Sequence, residues 1–199
     1  MDLTTRYMGL TLNNPLVASA SPVSERLDAI RQLEDNGAAA VVLFSLFEEQ
    51  ITHDSAALEH FMRLGTESHG EALSYFPSVQ DYDVGPRQYL ELIRRATEAV
   101  DIPIIASLNG VTERGWVTFA REMQDAGASA IELNVYYIPA ETFLSGAEVE
   151  QQYVDVLSAV KAAVSVPVAI KVGPYFSSFA DMGLYGGGNR DLSKRNLQR

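Results

Sequence analysis

SVPVAIKVGPYF, Ser165–Phe176, is the stretch whose reading decides the fold. Val166, Val168, Ala169, Ile170 and Val172 are apolar without alternation. Such a run suits a parallel strand covered on both faces, not a half-wet antiparallel one. Pro167 stands where a strand begins, and Gly173–Pro174 end it. Lys171 breaks the apolar run near its carboxyl end. In parallel α/β folds that end carries the chemistry, so a charge there is either paired or set against an anionic ligand.

The same alternation extends back through the chain. Tyr7–Leu12 and Leu16–Ser19 flank Asn13-Asn14-Pro15 and predict a hairpin leading into a first buried strand. Ser24 is a plausible N-cap for a helix carrying Leu27, Ile30 and Leu33, which Asn36-Gly37 ends. Ala38–Ser45 is a second buried strand, after which Leu46–Ile51 starts either a helix or a functional loop. Arg87–Val100 has Tyr89, Leu90, Ile93 and Ala96 on one face, with Pro86 suited to the first turn. Ile102–Asn109 is the third strand. A helix from Thr112 or Glu113 to Ala126 turns Trp116, Phe119, Ala120 and Met123 inward. Ala130–Val135 is the fourth strand, and Glu148–Val164 is the helix before the fifth.

Two internal echoes point to a repeated βα unit. Ala99–Ile104 (AVDIPI) recurs as Ala163–Val168 (AVSVPV), 64 positions later. Asn36–Val41 (NGAAAV) recurs as Ala126–Ile131 (AGASAI), 90 positions later. The first offset spans two units, so one unit is about 32 residues, close to the ~30 of a βαβ repeat. The expected fold is an incomplete (β/α)8 TIM barrel with five units present and three missing, since a whole one needs ~250 residues. Residues 1–182 form the barrel domain in this reading. Residues 183–199, Gly-rich and about +3 in charge, read as an unrelated tail left by a cut, a frame change or an artefact.

Composition narrows the function classes. The 199 residues are 47% apolar and 21% charged, an ordinary globular balance. A formal net charge of -11 disfavours nucleic acid and anionic membranes as partners. No apolar run nears the ~20 residues of a membrane span. MDLTTRYMG lacks the regions of a signal peptide, so a cytoplasmic location is expected. There is no cysteine, hence no thiolate ligand or nucleophile. His53, His60 and His69 match no i,i+4 metal pair, and no metal site is expected.

The strand ends collect polar and small residues. Ser19, Ala20 and Ser21 close strand one, Ser107 and Asn109 strand three, Asn134 strand four and Lys171 strand five. Glu132 lies two residues before Asn134, on the same face, where it can be the structural partner of Lys171.

NPLVASASP (14–22), PIIASLNG (103–110), AGASAIELNV (126–135) and PVAIKVGPYF (167–176), in register, resemble the dihydroorotate dehydrogenase family of FMN-dependent oxidoreductases. The resemblance implies a (β/α)8 barrel with FMN across its carboxyl mouth. It implies Lys171 at the flavin N1/C2=O edge, Asn134 hydrogen-bonded to flavin or substrate, Ser19, Ala20 and Ser21 lining the ring, and Ser107 and Asn109 bordering it. A cation suits a place where negative charge develops. The implied reaction moves a hydride from a dihydropyrimidine-like carbon to flavin N5 while a base takes the neighbouring proton, and so belongs to pyrimidine metabolism.

The departures from the family pattern are equally specific. After Asn134 the family continues Leu/Phe-Ser-Cys-Pro-Asn, whereas this chain has Val135-Tyr136-Tyr137-Ile138-Pro139. No Cys or Ser base is evident, which leaves Tyr137 as a proton-transfer group, although an ordinary phenol is a poor base near neutral pH. Phe44 or Ser45 stands where a strand-two lysine is common. The glycines that hold the FMN phosphate follow strands seven and eight in the family. A chain of these 199 residues alone is therefore expected to bind FMN weakly and turn over little. Two other readings stay open. One is a noncatalytic barrel fragment needing a partner or a second copy, the latter a homo-oligomer. The other is a flavin-free barrel enzyme acting on a phosphorylated metabolite.

Overall fold

The computed structural model describes residues 1–47, 84–110, 113–135 and 143–173, with Phe176, Ser178 and Ala180. An antiparallel pair, β1 (Thr5–Tyr7) and β2 (Leu10–Leu12), precedes a five-stranded parallel sheet. Its strands are β3 (Val17–Ala18), β4 (Ala40–Phe47), β5 (Ile104–Asn109), β6 (Ala130–Asn134) and β7 (Val168–Lys171), side by side in chain order. Four helices connect them: α1 (Leu27–Asp35), α2 (Val84–Ala99), α3 (Glu113–Asp125) and α4 (Gly146–Ala163).

The (β/α)8 expectation needs correcting. Among the described residues the sheet is open: β3 pairs only with β4, and β7 only with β6. A closed barrel has no such edges. The strand around Lys171 is accordingly half-buried and not covered on both faces. Its unbroken apolar run reports a parallel neighbour and a covering helix, and says nothing of whether a second neighbour is there.

Strict sequential strand order places all four crossovers on one side. Val41, Leu43, Ile104, Ala106, Leu108, Ile131 and Leu133 bury against Tyr89, Ile93, Trp116, Ala120, Met123, Leu157 and Val160 from the helices. This convex-side core is the larger of two. The second lies on the opposite, concave face. There Ala40, Val42, Ile105 and Ala130 pack with Leu12, and Met8, Leu10, Val17 and Ala20 close around them. The β1–β2 hairpin thus covers the amino-terminal half of the concave face.

The hairpin turn is not at Asn13-Asn14-Pro15. It is Met8-Gly9, with Tyr7 opposite Leu10 and φ of 53° and 80° at the two turn residues. Two positive φ values match the twist of a tight hairpin, and Gly9 supplies the second without strain. Asn14 instead launches β3: its Oδ1 accepts from Leu16 N–H at 2.8 Å, and its Nδ2 donates to Gly37 O at 3.0 Å. Ser24 is not the cap of α1 either. It sits inside a 3₁₀ turn, Pro22–Glu25, donating from N–H and Oγ to Ser21 O, and Arg26 precedes the helix without a side-chain cap.

The two sequence echoes correspond to repeated hydrogen bonding. After α1, Gly37 N–H donates to Glu34 O and Ala38 N–H to Leu33 O; after α3, Gly127 and Ala128 repeat this to Gln124 and Met123. Glu34 Oε1 accepts from the amides of Asp101 and Ile102 ahead of β5. Gln124 Oε1 accepts from those of Ser165 and Val166 ahead of β7. The last turn of each helix therefore positions a later strand.

The tail, residues 183–199, lies outside the described residues, as do Tyr137, the three histidines, Glu48 and Glu49. Leu46 and Phe47 belong to β4 and start no helix. Among the described residues no helix is long and apolar enough to cross a membrane, and no cluster of His, Asp and Glu could hold a metal ion.

Candidate functional site at the carboxyl rim of the concave face

Residues paired across a parallel sheet project to the same side, and alternation carries the assignment along each strand. Ser107 is paired with both Ser45 and Glu132, Glu132 with Ala169, Phe47 with Asn109, and Asn134 with Lys171. The concave face thus changes character with height. Its amino-terminal layer is apolar under the hairpin. Its carboxyl-terminal layer is Ser45, Ser107, Glu132 and Lys171, with Phe47, Asn109 and Asn134 at the strand ends.

The polar layer is one connected row. Ser45 Oγ lies 2.9 Å from Ser107 Oγ, and Ser107 Oγ donates to Glu132 Oε1 at 3.3 Å. Lys171 Nζ donates to the same Oε1 at 2.8 Å. The Glu132 side chain is 13% exposed and that of Lys171 47%. A nearly buried carboxylate therefore holds a half-exposed ammonium against the concave face. Lys171 does not turn away from the rim it shares with Asn134.

Tyr89 fixes the centre of the row from the other side of the sheet. The β4–β5 pairing shifts register between Val42 and Ser45, which interrupts the ladder beside Ser107. The Tyr89 hydroxyl enters that gap. It accepts from Ser107 N–H at 2.8 Å and donates to Ser107 O at 3.1 Å, with the ring edge-on to Phe44 at 5.0 Å. Burial pushes the Tyr89 phenol far above its ordinary pKa; the Ser107 backbone contact opposes this and the Glu132 charge adds to it. Tyr89 stays a neutral donor and acceptor.

The remaining expected residues divide. Ala20 packs on the concave apolar layer, whereas Ser19 is exposed and Ser21 gives its carbonyl to Ser24. Asn109 and Asn134 end their strands half-buried. Gly110 follows Asn109 because Trp116 comes close: a Cβ there would lie 2.7 Å from the indole. Its smallness serves packing, not a ligand. Sequence reasoning left the choice between Phe44 and Ser45 open and overlooked Phe47. The register shift decides it: Ser45 reaches the concave row, Phe44 meets Tyr89, and Phe47 stands 36% exposed at the rim.

A parallel half-barrel with a polar carboxyl rim defines a class of fold that many enzymes share. In solved structures it is similar to a dihydrodipicolinate synthase family protein from Coccidioides immitis, with TM-score 0.52, 15% identity and coverage of 88% of this chain and 49% of that one. It is also similar to dihydrodipicolinate synthase from Agrobacterium tumefaciens, with TM-score 0.50, 15% identity and coverage of 84% and 48%. These likenesses show the fold alone. They complete the correction above, for the described backbone is a five-stranded half-barrel that covers about half of each of these solved neighbours.

No protein-family model matches the chain. Its sequence resembles the dihydroorotate dehydrogenase family over nine-tenths of its length. It is 29% identical over 184 residues to the catalytic subunit of dihydroorotate dehydrogenase B (NAD(+)) of Thermoplasma acidophilum, covering 91% of this chain and 57% of that protein. Identity is 30% over 187 residues to the corresponding subunit of Methanocella arvoryzae, at 92% and 58%. It is 27% over 188 residues to the NAD-dependent dihydropyrimidine dehydrogenase subunit PreA of Escherichia coli K12, at 92% and 44%. The chain therefore spans about half the length of the curated relatives it matches.

Proposed function

We propose that the chain supplies the ring-facing part of a flavin site in an oxidoreductase of dihydroorotate dehydrogenase type, acting on a dihydropyrimidine-like small molecule. Residues 1–182 form the proposed catalytic domain. The observation that carries the reading is the Lys171 ammonium, held by Glu132 on the concave face at the carboxyl rim.

The residues at the rim fit the isoalloxazine ring of FMN. A flat ring needs a shallow surface without bulky side chains, and Ala20 with the apolar layer below offers one. It needs a cation at its N1/C2=O edge, and Lys171 has three donors of which Glu132 takes one. It needs amide partners for a ring edge bearing both N–H and C=O, and Asn134 stands beside Lys171, with Asn109 two strands along at the end of β5. When bound, FMN supplies a hydride acceptor at N5.

The work of the chain's own residues then follows. Lys171 stabilises negative charge at the ring edge, and Asn134 orients ring or substrate. Ser19, Ala20 and Ser21 line one side, while Ser107 and Asn109 border the ring and substrate. Tyr137 is the proposed proton-transfer group, and Tyr137→Phe tests that role through the pH profile of turnover.

The site assignment is tested by amide-resolved NMR of the chain titrated with FMN. Shifts should concentrate at Ala20, Ser107, Asn109, Asn134 and Lys171. Shifts confined to the convex helices, or none at the rim, would overturn it.

A further inference from the structure

Ser107 is fully buried, so the hydrogen bonds of its side chain serve the protein and not a ligand. Its hydroxyl has one proton, and an ionised carboxylate only accepts. That proton goes to Glu132 Oε1, which makes Ser45 the donor in the contact between the two serines. The row therefore has a direction. Ser45 donates to Ser107, Ser107 donates to Glu132, and Lys171 Nζ meets the same Oε1 from the exposed end. The oxygen that holds the ammonium is itself held by one buried hydroxyl.

The aim of that hydroxyl depends on the backbone beneath it. The register shift interrupts the β4–β5 ladder beside Ser107, and the Tyr89 hydroxyl serves both Ser107 N–H, at 2.8 Å, and Ser107 O, at 3.1 Å. Tyr89 is fully buried and its ring is set edge-on against Phe44, so the hydroxyl has a fixed place. One group bonded to both polar atoms of a residue fixes the peptides on either side, and with them the direction of its Cβ–Oγ bond. We propose that Tyr89, packed among the helices, is a positioning residue for Lys171 on the opposite face of the sheet, acting through Ser107 and Glu132. The hydroxyl sets Ser107, Ser107 sets Glu132 Oε1, and that oxygen sets where the ammonium stands. The claim concerns how the cation is held and not which ring it meets. It goes beyond the flavin reading and is tested without flavin, so either can fail alone.

The test reads the Lys171 amine by trace labelling of the folded whole chain with acetic anhydride. Lys161, exposed in the last turn of α4, is the internal reference. An ammonium bonded to a carboxylate labels more slowly than a free one. Concentrated sucrose favours the folded state, so all variants are compared folded, as checked by circular dichroism. Tyr89→Phe keeps the ring and should raise the Lys171-to-Lys161 labelling ratio about two- to tenfold, the weight of one hydrogen bond. Ser107→Ala breaks the relay one step further on, leaves the backbone bridge in place, and should raise the ratio equally. The double variant should raise it no further, since both changes remove one relay. Ile93→Val thins the buried core one turn along from Tyr89 without touching the relay, and should leave the ratio unchanged while costing stability. A ratio unmoved by Tyr89→Phe or by Ser107→Ala, an additive effect in the double variant, or an equal rise in Ile93→Val would overturn the proposal.

Discussion

The two faces of the parallel sheet are built from the same strands and do different things. On the convex face, Val41, Leu43, Ile104, Ala106, Leu108, Ile131 and Leu133 are sealed by four helices, and every position is apolar. On the concave face the same strands begin apolar under a hairpin and end in the row Ser45–Ser107–Glu132–Lys171. A shift of one residue along any strand exchanges these sets, so the register that gives stability also gives the site its chemistry. The difference teaches that stability and function can be separated here by substitution.

The largest expected effect is on the convex side. Leu108→Ala, at a fully buried position near the end of β5, should destabilise the chain by about 2–5 kcal/mol in urea unfolding. A loss under about 1 kcal/mol would mean that this face is not the core. Next comes Tyr89, whose hydroxyl ties the convex core to the backbone of the concave row. Tyr89→Phe leaves Ser107 N–H and C=O without their bridge, and should cost about 1–3 kcal/mol and speed hydrogen exchange at the Ser107 amide. Unchanged exchange there would break the link between the register shift and the hydroxyl.

Substitutions at the rim should behave oppositely. Lys171→Met leaves the nearly buried Glu132 carboxylate without its cation, and should cost about 1–2 kcal/mol, less than the core substitution, while altering ligand binding. The smallest effect is expected away from both faces, at the capping box of α4. Ser145 Oγ accepts from Glu148 N–H, and Glu148 Oε2 accepts from the Ser145 amide. The backbone and side-chain hydrogen bonds of Ser145 hold the exposed Glu148 carboxyl below its ordinary value. A depressed carboxylate stabilises above its unfolded pKa, and the gain is lost as pH falls through the folded value. Helix content followed by circular dichroism should therefore fray at acid pH in the wild-type chain, and Ser145→Ala should flatten that dependence.

Much of the fold was legible because parallel strands and their helices write different periods into sequence. The echoes at residues 36–41 and 126–131 correspond to identical helix ends, and those at 99–104 and 163–168 to identical strand entries. What could not be read was closure: Val168–Ile170 is apolar whether a strand lies beside it or not. The hairpin turn was misplaced because Met8, an unexpected residue at positive φ, was passed over for the more obvious Asn13-Asn14-Pro15. At the site, the Glu132–Lys171 pair was legible from alternation within β6 and the charge at the end of β7. Ser45, Phe47 and Tyr89 were not, because one register shift between Val42 and Ser45 decides which face each side chain meets, and nothing local announces it.

The central claim is that the rim cation meets the electron-rich N1/C2=O edge of an isoalloxazine ring. Difference absorbance titration with lumiflavin, which has the ring and no phosphate, tests it most directly on wild-type and Lys171→Met chains. The account predicts a wild-type spectral shift, similar in size for FMN and lumiflavin, that Lys171→Met abolishes without unfolding the chain. A lumiflavin shift of equal size in the folded Lys171→Met chain, or no shift in the wild-type chain, would contradict it.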